Sequence, residues 1–203
     1  MDILALLTGF GLSAAAGSRA CLVLVALGLF HHTSYFELSP EFVWIGSPVV
    51  ICVACVLALV EIAADAHPEV SELVHVASYL PKIVVGFVAL AGSTGTVDRN
   101  LFLFAASGVV GGGTAAAVHY VRDKVRGVVH DCAGCVADHA SPKLSWAETA
   151  GTCGVTAGAI FVPVIVVLVI ALALVAGFFI TRAMRARLEA RLAAQSIPPE
   201  MSE

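Results

Sequence analysis

Charge is scarce in this sequence. Asp, Glu, Lys and Arg make up 13% of its 203 residues, against roughly 25% in a soluble domain. Alternating polarity is missing too. Runs such as FVPVIVVLVIALALVAGFFI (161–180) are apolar at every step, which excludes barrel strands with one lipid-facing and one lumen-facing side. There is no basic face with interleaved aromatics, so a nucleic-acid partner is not expected. No phosphate loop, HExxH or hydrolase nucleophile arrangement occurs, so no enzyme is expected. A basic n-region is also lacking. The apolar run from Ile3 to Phe30 is longer than the h-region of a cleavable signal.

What is present is apolar length. Hydrophobic residues are 59% of the chain, and mean hydropathy is +0.95. About 20 such residues cross a hydrocarbon core of about 30 Å. The pattern predicts an all-α, polytopic transmembrane bundle of about five segments, with a lipid bilayer as partner and the inner or plasma membrane as location. The segments fall near 3–30, 43–65, 70–92, 101–122 and 145–181. The last exceeds one ordinary crossing, and Pro163 is expected to bend or break it. Between the first two, Tyr35, Phe36, Phe42 and Trp44 suit the headgroup level. Residues 1–182, with a polar loop at 123–144, read as one domain, and 183–203 as a basic then polar tail. Basic residues crowd both that loop (Arg122, Lys124, Arg126) and the tail (Arg182, Arg185, Arg187, Arg191). One crossing between them cannot put both on the cytoplasmic side, so either Pro163 marks a re-entrant turn or one basic cluster breaks the rule, and the tail is the one expected to be cytoplasmic. HPEVSE (67–72) and SPKLSWAE (141–148) echo one another, as do SAAAGSRA and GGGTAAAV more loosely, a pattern that inverted repeats share with chance similarity.

Charged groups in a bilayer core cost several kcal/mol unless paired or hydrated. Arg19 lies deep in the first segment, behind a small-residue stripe of Gly9, Ser13 and Gly17. Glu61 and Asp65 share a helical face with Ser47, Ala54 and Ala58. Lys82 follows Pro81. Gly108, Gly112, Ala115 and His119 share one face, and Ser145, Glu148, Thr152 and Thr156 another. The candidate solute or ion site is therefore Ser13, Arg19, Glu61, Asp65, His119 and Glu148. Arg19 is expected to pair with Glu61, Asp65 or Glu148, the first two being favoured. The plainer alternatives are carboxylates at the interface, a snorkelling lysine, and Gly/Ala stripes that serve packing or a homo-oligomer interface.

Four stretches come in the order of a known bacterial membrane family: GLSAAAGSRACLVLVALGL, ALVEIAADAHPEV, GGGTAAAVHYVRDKVR and SPKLSWAETAGTCGVTAGAIFVPVIVVL. Over roughly 8–180 the chain resembles the family called domain of unknown function 4126. The resemblance rests on Ser13, Gly17, Glu61, Asp65, Pro68, Gly111, Gly112, Arg126, Ser145 and Glu148. Ala66 and His67 stand where that family commonly has a lysine, which weakens any role needing a fixed cation beside Asp65. The resemblance implies a helical membrane fold and brings no activity with it.

HDCAGCVADH (130–139) offers His130, Cys132, Cys135 and His139. Their spacing is open to a zinc site, to a Cys132–Cys135 disulfide, or to a solvated loop with incidental thiols. Val136 after Cys135 excludes a haem attachment motif. Cys21, Cys52, Cys55 and Cys153 fall in apolar segments, where small buried filler is the expected role. Three functions remain open: a small transporter or channel, a scaffold or assembly factor, and a metal- or redox-handling membrane protein.

Overall fold

The computed structural model describes residues 3–66, 68–95, 101–132 and 137–195. Side chains are described over 3–64, 78–95, 101–127, 145–179 and 182–183. Every element among them is helical: α1 (Ile3–Ser18), α2 (Ala20–His31), a 3-10 segment (Pro40–Gly46), α3 (Pro48–Ala66), α4 (Pro68–Thr94), α5 (Leu101–Cys132), α6 (Ala137–Phe161) and α7 (Pro163–Gln195). Proline opens the 3-10 segment, α3, α4 and α7. Its fixed φ suits the first helical position, where its missing N–H costs nothing. Gly95, at φ 60°, ends α4 in the left-handed region.

The first apolar segment is not one helix. Arg19 has φ −141° and ψ 95°, and the chain reverses there. Gly11 of α1 packs on Ala159 of α6, Ser18 on Thr152, and Arg19 reaches back to Ser145. On the return, Cys21 of α2 lies beside Glu61 of α3, Gly28 meets Ile51, and Phe30 meets Phe161. α1 and α2 thus form a hairpin with Arg19 at its tip. With 16 and 12 residues its arms are only about 24 and 18 Å long. Gly17 and Ser18 precede the break, a pair that favours sharp bends.

The last segment breaks at Val162, as Pro163 leads one to expect. There too the chain reverses, since Gly158 packs on Val166. α7 then runs alongside α1 and α5, from Val166 at Gly11 to Gly177 at Val121. The polar half, Ser145, Thr152 and Thr156, is buried, while Val164, Ile165, Leu168 and Leu172 are exposed. Two other expectations are corrected. The stretch 123–144 is largely helical, because α5 continues to Cys132 and α6 starts at Ala137. Continuing α5 carries Arg122 and Arg126 to Glu148. Phe36 and Phe42 are buried, and Ser39 N–H donates to the Gly92 carbonyl at 2.9 Å. Only Tyr35 and Trp44 of that aromatic set are exposed.

α1, α4 and α5 meet at glycines. A Cβ on Gly86 would lie 2.6 Å from Ala115 Cβ, and one on Gly112 would lie 2.9 Å from Ile83 Cγ2. The Ser13 hydroxyl is shared between the Gly9 and Gly86 carbonyls, at 2.8 and 2.7 Å. The Gly and Ala stripes of these helices are therefore used inside the chain. SAAAGSRA and GGGTAAAV, the looser echo, touch one another here, Gly17 lying against Ala115 and Val118.

The polarity of the bundle is inverted. Arg19, Lys82, His119, Ser13 and Ser145 are buried, while Val49, Val53, Leu59, Leu101, Phe102 and Phe179 are exposed. Cys52, Cys55 and Cys153 are exposed as well, not core filler. Leu101–Gly127 of α5 is long and apolar enough to cross a membrane, and the 3-10 segment with α3, bent by 64°, makes a second candidate.

Candidate functional site

The reversal at Arg19 places a fully buried guanidinium at the tip of the hairpin. Its Nη2 donates to Ser145 Oγ at 2.8 Å and lies 3.9 Å from Glu148 Oε2. Glu148, the third of the carboxylates expected for Arg19, is thus a partner of it. The Asp65 side chain lies outside the described residues. The α1 carbonyl end is closed by Arg122, whose Nη1 donates to Ser18 O at 3.2 Å. A cation there answers the negative end of the helix dipole.

Glu148 is the hub. Arg122 Nε and Nη2 both donate to its Oε2, at 3.1 and 2.6 Å. Arg126 Nη1 lies 3.9 Å from the same oxygen. Three guanidiniums, carried by α5 and the hairpin tip, therefore converge on one carboxylate oxygen of α6. Thr152, one turn on, lies 3.0 Å from Ser18 Oγ and 2.8 Å from the Glu148 carbonyl.

A second group adjoins the first. Lys82 Nζ of α4 is 3.1 Å from His119 Nδ1 of α5 and 3.8 Å from Glu61 Oε1 of α3. Lys82 and His119 are buried, and Tyr79 meets the imidazole edge-on at 4.3 Å. Lys82 is 3% exposed, so it does not extend to the surface of the bundle. Glu61 also faces the first turn of α2 through Cys21, where a negative charge suits the helix's positive end.

Arg19, Glu61, His119 and Glu148 are thus brought into two adjoining clusters. Ser13 stands apart as a strut between α1 and α4. Lys82 and Arg122 are additions to the expected set. A signal for Arg122 exists: the stripe Gly108, Gly112, Ala115, His119 continues at helical spacing to Arg122 and Arg126. His130, Cys132, Cys135 and His139, the proposed zinc or disulfide residues, have side chains outside the described residues. Among the described residues no group of three or more His, Cys, Asp or Glu could hold a metal.

The fold and site define a helical bundle built around a buried ion network and a short helical hairpin that carries an arginine into it. The chain belongs to the family described as Domain of unknown function (DUF4126), whose model matches residues 6–183. No curated protein and no solved structure matches.

Proposed function

We propose that this is a multi-span membrane protein that conducts or exchanges a small solute or ion, an anion in the first instance, at the tip of the α1–α2 hairpin. The observation that carries this reading is Arg19. It is buried at a one-residue break, in a hairpin whose arms are shorter than a hydrocarbon core of about 30 Å. Irregular backbone is tolerated at membrane depth where it is enclosed by protein or lines a polar cavity. Broken helices that end at midplane sites are a recurring device of transporters. Guanidinium groups suit bidentate recognition of anionic groups, which makes an anion the first probe. The apolar outer surface of the bundle suits lipid. In this reading α3 to α7 cross the bilayer and α1–α2 is re-entrant.

The reversal at Val162 brings the basic end of α5 and the tail to the same side. Of 11 Lys and Arg, Arg19 and Lys82 are inside the bundle and Arg99 is in the α4–α5 connection. The other eight sit at that end, which the positive-inside rule makes cytoplasmic. In a variant lacking the native cysteines, Lys124→Cys and Arg187→Cys should react with an impermeant maleimide from one side, and Thr96→Cys from the other. Labelling of Lys124→Cys and Arg187→Cys from opposite sides would overturn this topology.

The functional test is flux in proteoliposomes of the purified chain, with chloride, nitrate, phosphate, acetate and potassium as probes. Anion flux is expected, reduced at least about tenfold by Arg19→Gln and by Glu61→Gln in protein that still elutes as a single species. Cys132→Ser with Cys135→Ser should leave flux intact; its loss would favour the metal or redox role. Absence of flux for every probe would sink the transport reading and leave the network as a brace in a scaffold protein.

A further inference from the structure

We propose that Lys82, His119 and Glu61 form a proton-binding site, in which Lys82 and His119 hold one proton between them. Its coupling to solute movement at the adjoining Arg19–Glu148 cluster rests on the transport reading above; the site itself does not.

The chemistry follows from one distance. Lys82 Nζ and His119 Nδ1 are 3.1 Å apart, and both side chains are buried. An ammonium has donors and no lone pair, so a charged Lys82 requires a bare Nδ1 on a neutral imidazole whose proton sits on Nε2. If His119 is the cation, its Nδ1–H donates to a neutral amine. Two cations at this separation, away from water, are excluded by desolvation and repulsion. The pair therefore holds one positive charge in either form, and Glu61, 3.8 Å from Lys82 Nζ, is a counter-charge to it. Such groups titrate as a unit rather than as two residues.

The step balances without a further reagent. The proton moves along the N–H···Nδ1 hydrogen bond from Lys82 to His119, leaving a neutral amine and an imidazolium. The imidazolium releases its Nε2 proton to water on one side of the membrane; the amine gains the next proton from water on the other side as the imidazole ring turns to present its bare nitrogen to the new ammonium, which restores the starting charge. Among the described residues, the groups facing the pair include Cys21 from α2 on Glu61, Tyr79 from α4 on the imidazole, and Asp123 and Tyr120 from α5, which act on Tyr79. Asp65 lies one turn beyond Glu61, with its side chain outside the described residues. His119 precedes Arg122 by three positions on α5. A change of one charge on the pair is thus felt one turn from the Glu148 hub.

The test uses full-length protein in nanodiscs, with Lys124→Arg and Lys143→Arg so that Lys82 is the single lysine. The pH response of its ¹⁵N signal is followed with and without His119→Gln. Its midpoint is expected to move by at least about one pH unit when the imidazole is removed; an unmoved midpoint in a folded variant overturns the shared proton. Glu61→Gln provides a second variant, expected to move the same midpoint. In proteoliposomes carrying a trapped pH dye, solute-driven proton movement should be lost in Lys82→Met and His119→Gln. Solute flux with no proton movement in the unsubstituted protein would overturn the coupling and leave the transport reading intact. A shared titration without any solute flux would support the proton site and sink transport.

Discussion

Glu148→Ala is expected to destabilise the folded chain by about 3–5 kcal/mol, the range for removing one partner of a buried ion pair. The cause is what remains. Arg122 loses the acceptor of two donors, at 3.1 and 2.6 Å, and Arg19 and Arg126 lose a carboxylate at 3.9 Å. Three guanidiniums then face one another in a site where Arg19 is fully buried. Equilibrium unfolding in detergent reads the loss. The double variant Glu148→Ala, Arg122→Ala should recover part of the loss, because it removes the charge left stranded. Strict additivity in that cycle would show that the two residues do not interact.

The second large effect is steric. A Cβ on Gly17 would meet the Ala115 carbonyl oxygen and lie 2.8 Å from Val118 Cβ. The obstruction is largely backbone, so α1 and α5 would have to separate. Gly17→Ala should therefore cost about 1–3 kcal/mol as overpacking. The same change at Gly113, where nothing lies within 4 Å, should gain up to about 1 kcal/mol from helix propensity. Separation of α1 from α5 would also move Ser18, the carbonyl that Arg122 closes. Thermal unfolding in detergent of the two variants side by side is the measurement. Equal midpoints would mean that α1 and α5 do not approach as closely as described.

Several parts of the site were legible because they conflict with an apolar surrounding. Arg19, Glu61, His119 and Glu148 each interrupt a segment where charge or a polar ring is costly, and each lies in one of the two clusters. Lys82 was legible as an intramembrane charge but not as the partner of His119. The two lie 37 residues apart on different helices, and no local pattern records which helix faces which. Hydrophilic composition from residue 122 onward reads as a loop, which hides Arg122 from the expected site. Helix α5 continues because Arg122 and Arg126 find their carboxylate on α6.

By itself the sequence determined composition suited to lipid, helices rather than strands, the break before Pro163, and the family. These are local properties: hydrophobic length, the missing N–H of proline, and motifs in a fixed order. Only the tertiary structure decided that α1 and α2 fold back on one another. The reversal needs a change of φ and ψ at one residue, Arg19, within an apolar run carrying no proline, and the Gly17–Ser18 pair before it permits a bend without requiring one. It also decided that Arg19 reaches Glu148, one of its three expected partners, and that the two basic segments lie at one end. Each of these depends on which helices pack together, and glycine contacts among α1, α4 and α5 set that packing by letting backbones approach where any side chain would hold them apart.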